Sequence, residues 1–296
     1  MIKRTLLAAI VAATVATPAL AVDFNGYFRA GTAISNNGTG DTSFEKQKVG
    51  RLGNENDNYS EIGLGKDLLN ENGQKWRVET MIASGVSGSN GWEDGDFNIA
   101  QYNVQATGLL AFDKDATIWA GKRYYQRKDV HITDFYFLNT SGTGGGIENL
   151  SLGEQKLSVA LMEDSASSQM TDGVSEPVKG YIADIRLADI DLWQGATLEL
   201  AGAYNFATGT TNGNTDTKAD DGFLGTAIVN QNLANGFNQT VLQYGTSSYG
   251  AQMSTMGSGA YFDRSGDQND ATGFRVINHG VVSTGNFEVG HQLMYA

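Results

Sequence analysis

Short segments in which apolar and polar residues alternate recur along the whole chain. Near the start, Phe24 and Phe28 share one parity, and Tyr27 and Arg29 share the other. Because successive side chains of a β-strand point to opposite faces, this alternation predicts strands with one apolar and one polar face. About twelve segments show the pattern, separated by clusters rich in Gly, Asn, Asp, Ser and Thr. They span residues 24–34, 58–66, 76–82, 102–107, 118–125, 157–162, 181–187, 197–206, 223–230, 240–245, 273–279 and 287–295.

Composition narrows the kinds of β-protein that fit this pattern. Only 40% of the 296 residues are hydrophobic, which is little for the core of a soluble sandwich of this size. A water-filled barrel needs apolar residues only on its outward face, so we expect an antiparallel transmembrane β-barrel. Long polar insertions alternate with tight turns, as in a barrel with long outer loops. These insertions lie at 35–48, 84–96, 126–146, 163–177, 208–221 and 246–258.

The first 21 residues predict export. Lys3 and Arg4 precede an apolar run over 6–15, and Pro18 is followed by the small-x-small sequence at 19–21. This is the pattern of a secretory signal peptide, which is too short to span a membrane as a helix. We therefore expect residues 1–21 to be a leader and residues 22–296 to form one porin-like domain.

Charge and the lack of cysteine exclude several functions. The net charge of −13 repels nucleic acid, so no nucleic-acid partner is expected. With 0 Cys, the chain offers no disulfide scaffold and no thiolate ligand or nucleophile. The acidic residues either solvate loops or make a pore that mildly favours cations.

Aromatic and ionisable residues share the polar face of the first two predicted strands. Tyr27 lies beside Arg29, and Tyr59 lies beside Glu61. Aromatic rings can stack on the C–H faces of sugars, and charged groups can exchange hydrogen bonds with the hydroxyls. The competing interpretation is that these rings pack against a loop folded into the barrel.

Several longer motifs resemble the maltoporin (sugar porin) family. They are VDFNGYFR at 22–29, RLGNE at 51–55 followed by Tyr59, TIWAGKRYYQRKDVHITDFY at 117–136, GFN at 236–238 and VINHG at 276–280. The resemblance implies a trimeric outer-membrane channel of about 18 strands, surrounded by lipid and lipopolysaccharide. It implies passive diffusion of maltose and maltodextrins, with no cofactor and no enzymatic activity. By strand count, about 12 of about 18 strands are present, which predicts a C-terminally truncated chain.

The resemblance also assigns roles to individual residues. Four aromatic residues match the family's sugar-stacking rail: Tyr27, Tyr59, Trp92 and Phe237. The polar track and constriction are matched by Arg29, Arg51, Glu61, Asp129, His131, Asp134 and Tyr136, with Tyr136 at the narrowest point. A further arginine of the track has no counterpart, because Ala100 takes its place.

Other interpretations remain open from the residues. Ala100 favours a general porin or one for another oligosaccharide, and the long loops allow a non-conducting surface receptor for phage or adhesins. Asp129, His131 and Asp134 could bind a metal ion, but a second neutral ligand is not evident. A catalytic triad lacks a recognisable nucleophile motif. Arg123, Arg127 and Lys128 are interpreted as pore-wall or loop charges in preference to a specific anion site, and the glycine run 144–146 is predicted to be a flexible loop turn.

Overall fold

The computed structural model describes residues 22–32, 50, 56–87, 96–164, 179–212, 215–253 and 269–296. The predicted leader, the first long insertion, Arg51 and Trp92 lie outside these described residues. Within them, no helix is long and apolar enough to cross a membrane.

Among the described residues, thirteen strands form one antiparallel sheet in which neighbours follow chain order. Two further pairs of short strands, β6 with β7 and β12 with β13, lie outside that sheet. A short helix, α1 (Ser247–Met253), follows β15. The strands are β1 (Asp23–Ala30), β2 (Asp57–Glu71), β3 (Gln74–Ser87), β4 (Asn98–Thr107), β5 (Thr117–Arg123), β6 (Lys128–Val130), β7 (Phe135–Leu138), β8 (Gly142–Leu152), β9 (Gln155–Asp164), β10 (Gly180–Trp193), β11 (Ala196–Ala207), β12 (Gly209–Asn212), β13 (Thr215–Lys218), β14 (Gly222–Leu233), β15 (Gly236–Thr246), β16 (Thr272–Thr284) and β17 (Phe287–Tyr295).

The all-β antiparallel fold predicted from the alternation is confirmed. Phe24 and Phe28 are 65% and 64% exposed on the outward face. On the inward face, Tyr27 lies opposite Glu61, and Arg29 lies opposite Tyr59. In the described part of the chain, the first and last strands of the sheet are not hydrogen-bonded to each other.

The outward face carries rings at the loop ends of neighbouring strands. Aromatic girdles of this kind mark the level of the membrane interface in outer-membrane barrels. The rings of Phe274 and Tyr295 lie 5.7 Å apart across β16 and β17. The exposed members of the row on the last five strands of the sheet are Tyr204, Phe206, Phe223, Tyr244, Phe274 and Tyr295.

One strand of the sheet, β8, was not among the twelve predicted segments and corrects a sequence prediction. The glycine run 144–146, predicted as a flexible loop turn, lies inside β8 and pairs with β5 on one side and β9 on the other. A Cβ atom at Gly144 would lie 2.1 Å from the carbonyl oxygen of Leu161, and one at Gly146 would lie 2.5 Å from that of Val159. Glycine is present because the neighbouring backbones approach closely, and the lack of side chains concealed the alternation.

Short and long connections alternate as predicted. Asn72 and Gly73 both have positive φ and close the turn between β2 and β3, which is the geometry of a two-residue hairpin. Equally tight connections follow β8, β10, β14 and β16, whereas the long ones follow β1, β3, β9, β11 and β15. The two ends of the sheet therefore differ, with short turns at one end and long loops at the other.

The connection from β5 to β8, residues 124–141, folds against the inward face of the sheet. We call it the inward segment; it contains β6, β7 and a 3-10 turn at His131–Thr133. Its side chains Val130, Phe135 and Phe137 are each 1% exposed. They belong to one buried apolar cluster with inward-facing residues of five strands, namely Ile182, Ala203, Leu224, Ile228, Val241 and Ile277.

This apolar cluster corrects a second expectation. We expected apolar residues only on the outward face, because the inward face of a porin contacts water. Here the inward segment covers the inward face from β10 to β16, so burying apolar side chains there is favourable. Beneath the segment, polar side chains such as Asp184, Arg186 and Gln243 are buried beside this apolar cluster.

The inward segment contacts strands from across the sheet. Gln243 on β15 donates from Nε2 to the Phe137 carbonyl at 2.7 Å. Thr133 Oγ1 donates to Gln292 Oε1 on β17 at 2.7 Å. Other residues of the segment line a pocket with β1 and β2. Because both ends of the sheet reach one short segment, the sheet curves around it.

Candidate functional site

A pocket of about 330 Å³ lies between the inward segment and the first two strands. The inward-facing side chains of β1 and β2 form one wall of the pocket, and the inward segment forms the other. Seven of the predicted site residues meet here, together with one that was not predicted. The lining residues are Tyr27, Arg29, Tyr59, Glu61, Arg127, His131, Asp134 and Tyr136.

The strand wall combines aromatic surface with charge. The rings of Tyr27 and Tyr59 lie 6.1 Å apart, and Tyr27 is 39% exposed. The Tyr59 hydroxyl donates to Glu61 Oε1 at 2.6 Å. The Arg29 guanidinium lies 5.5 Å from the Tyr59 ring centroid and pairs with Asp57, with 2.7 Å between Nε and Oδ1. This wall therefore offers ring faces to an apolar surface and ionised groups to hydroxyls.

On the other wall, formed by the inward segment, the backbone reverses direction at Asp134. Asp134 has a left-handed conformation with φ of 52°, and its N–H donates to the His131 carbonyl at 3.2 Å. This reversal follows the 3-10 turn and leads into β7, where Tyr136 lines the pocket. The His131 side chain is 79% exposed, and its Nδ1 lies 3.7 Å from Asp129 Oδ2. Asp129 pairs opposite Tyr136 but does not itself line the pocket.

Arg127, predicted only as a pore-wall or loop charge and not as a site residue, lines the pocket as a further functional candidate. Its guanidinium lies 4.3 Å from the Tyr124 ring centroid and 4.2 Å from that of Tyr136. A guanidinium between two rings gains cation–π stabilisation and holds both rings in place. In the sequence, only the nearness of Tyr124 to Arg127 pointed to this role. The contact with Tyr136 could not be predicted, because it depends on how the inward segment folds.

Two predicted positions lie away from the pocket. Phe237 is on the inward face of β15, 41% exposed, with its ring 6.0 Å from that of His279. Ala100 lies where the β3–β4 register shifts, since Met81 pairs with Gln101 and Ile82 with Ile99. Phe237 therefore stays a prediction as a rail residue, and Ala100 adds no charge to this wall.

Among the described residues, no group of three or more His, Asp or Glu side chains could hold a metal ion. The metal interpretation of Asp129, His131 and Asp134 has no geometric support there. The charges and rings of the pocket suit reversible contacts with a polar, ring-containing solute.

The curved sheet, the inward segment and the mixed pocket together define a porin-type channel protein. Residues 22–296 match the family model described as LamB porin. The chain belongs to the LamB porin family, whose members are channels of the outer membrane and not enzymes.

Curated relatives are similar in sequence to this chain over nearly its whole length. A maltoporin of Vibrio cholerae serotype O1 is 60% identical over 302 residues, covering 100% of this chain and 70% of the relative. A maltoporin of Photobacterium profundum is 41% identical, covering 100% of this chain and 75% of the relative. Maltoporin 1 of Klebsiella pneumoniae is 37% identical, covering 96% of this chain and 69% of the relative. The chain is therefore shorter than these relatives, as the predicted strand count implied.

Proposed function

We propose that this chain carries maltose and maltodextrins across the outer membrane by facilitated diffusion. The pocket of Tyr27, Arg29, Tyr59 and Glu61 against the inward segment is the observation that carries the proposal. The relatives named maltoporin support this class of sugar. Diffusion through such a channel needs no energy source.

The chemistry of a sugar explains the mixture of side chains. A glucose ring has apolar C–H faces that stack on tyrosine and a rim of hydroxyls that donate and accept hydrogen bonds. Arg29 and Glu61 already pair with protein groups, so a passing hydroxyl exchanges one hydrogen bond for another at little net cost. Binding that is weak at each step lets the sugar move on.

The remaining assignments extend this path. We propose that Trp92 and Phe237 continue the aromatic rail and that Arg51, Asp129, His131, Asp134 and Tyr136 complete the polar track. The proposal includes a homotrimer embedded in outer-membrane lipid and lipopolysaccharide, with outer loops that phage could bind. Electrophoresis without heating tests the trimer, since a folded trimer migrates at about three times the monomer mass.

Replacing one rail residue tests the proposal. In Tyr27→Ala, maltohexaose binding to the folded protein should weaken by about 1–3 kcal/mol, the scale of losing a buried aromatic contact. Phe28→Ala is the matched control, because Phe28 is the adjacent aromatic residue on the outward face. Equal affinities for Tyr27→Ala and the unmodified chain, by fluorescence titration, would remove Tyr27 from the path.

A second candidate is a channel for another oligosaccharide. Ala100 favours it, because this position supplies no cation where the resemblance implies an arginine. The same titration with sucrose and raffinose separates the two: tighter binding of either than of maltohexaose would favour the second candidate.

A further inference from the structure

Residues of β6 alternate between the pore and the wall. Asp129 lies on the pore side, near His131, while Lys128 and Val130 lie on the side that meets the sheet. The neighbours of Lys128 in that direction are β10 and β11, not the pocket. Lys128 therefore has a different environment from the site residue next to it.

Lys128 crosses from the inward segment to a charged cluster on the wall. Its Nζ lies 2.5 Å from both Glu199 oxygens. Arg186 Nη1 donates to Glu199 Oε1 at 2.6 Å, and Arg186 Nη2 lies 3.5 Å from Asp184 Oδ2. The side chains are 26% exposed for Lys128, 12% for Glu199, 3% for Arg186 and 1% for Asp184. Two cations balance two anions, so removing one partner leaves an uncompensated buried charge.

The charged cluster lies next to the apolar cluster, and both fill the space between the inward segment and the sheet. Ala203 lies four residues after Glu199 on the same face of β11. It belongs to the apolar cluster and is 2% exposed. Together the charged and apolar contacts close the space between the inward segment and β10–β11. The passage beside Tyr27 and Tyr59 is the part left open.

We infer that the Lys128–Glu199 ion pair holds the inward segment against β11 and thereby restricts passage to the Tyr27–Tyr59 side. Lys128 is thus a positioning residue for the channel, with no direct contact with sugar. This inference deepens the proposed function and rests on it. Its direct test reads the position of the segment and does not depend on transport.

Cysteine labelling tests the position of the segment. The chain has 0 Cys, so Ala203→Cys gives one reporter thiol beneath the segment. Adding Lys128→Ala should raise its rate of reaction with a small methanethiosulfonate at least about tenfold, because local opening exposes it. Lys122→Ala is the charge-matched control, since Lys122 Nζ contacts the Ile99 carbonyl away from the segment. Equal rates with Lys128→Ala and with Lys122→Ala would overturn the inference.

A second reporter and a conservative variant exclude general unfolding. A cysteine at Ala106, 4% exposed on β4 and outside the cluster, should react equally slowly in every background. Lys128→Arg keeps the positive charge and should keep the Ala203→Cys rate within about twofold of the unmodified background. Fast labelling of both reporters in Lys128→Ala would show loss of fold instead of release of the segment, and would contradict the inference.

Conductance separates this inference from the proposed function. In Lys128→Ala, saturating maltohexaose should leave a residual ionic current through the newly opened space. Complete block equal to that of the unmodified channel would overturn the inference. If sugar fails to block even the unmodified channel, the proposed function is wrong, while the labelling result still decides whether the pair holds the segment.

Discussion

At the scale of residues, Arg127 connects two rings of the inward segment, which forms one wall of the pocket. Its planar cation lies between Tyr124 and Tyr136, which precede and follow it on the inward segment. Tyr136 is therefore held by stacking and not only by its place on β7. The orientation of this ring at the pocket depends on a neighbour whose role is to support it.

Arg127→Lys tests that support. Lysine keeps the charge but loses the planar guanidinium, so maltohexaose binding should weaken by about 1–2 kcal/mol, the scale of a desolvated cation–π contact. Fluorescence titration measures the change. Arg123→Lys is the control, because Arg123 stacks on Trp119 and pairs with Glu148 without lining the pocket. Similar losses in both variants would contradict a specific role for Arg127.

At the scale of elements, β8 fits between its neighbours because it carries glycine. Gly144→Ala places a methyl group against the Leu161 carbonyl and should destabilise the fold by about 1–3 kcal/mol through overpacking. Gly202→Ala is the matched control, since a Cβ there meets its nearest atom at 3.5 Å. Thermal unfolding followed by circular dichroism compares the two, and equal midpoints would show that β5 and β9 adjust freely.

The connection between β4 and β5 is held by one carboxylate. Asp113 accepts hydrogen bonds from the N–H groups of Asp115 at 3.1 Å, Ala116 at 3.3 Å and Ser151 at 2.5 Å. These bonds, above all the one from Ser151, hold the pKa of Asp113 below its usual range. The charged form is therefore favoured in the folded state.

A pH series tests this carboxylate. A lowered folded pKa gives stability that is complete above the ordinary pKa and is lost as the pH falls through the folded pKa. The stability advantage of the unmodified chain over Asp113→Asn should be full at neutral pH and shrink in strong acid. Thermal midpoints from pH 7 downward measure it, with Asp115→Asn as control. An advantage that does not change with pH would contradict the role of ionised Asp113.

The alternation predicted most of the strands, because every second residue of such a strand faces lipid and is apolar. It failed at β8, where glycine carries no side chain, and on the inward face of β10–β16, where the inward segment replaces water. Of the residues that line the pocket, Tyr27, Arg29, Tyr59 and Glu61 were singled out by shared parity, and His131, Asp134 and Tyr136 by the resemblance alone. The stacking of Arg127 on Tyr136 and the Lys128–Glu199 pair were not predictable, because both depend on how the segment folds back. Glu199 is 71 residues from Lys128 in the sequence.

At the scale of the whole molecule, the sheet and the inward segment act as one unit. The sheet supplies the outward apolar surface, and the segment divides the inward face into a sealed part and an open part. The proposed sugar path begins in the open part, between the first two strands and the segment. The central claim is that solute passes beside Tyr27 and Tyr59 and binds there weakly.

Single-channel conductance in a planar bilayer, with maltohexaose titrated in, tests this claim most directly. The account predicts steps of ionic current that close saturably as sugar is added, because the sugar occupies the same narrow path as the ions. Steps that persist at saturating maltohexaose, or the absence of steps from the folded protein, would contradict it.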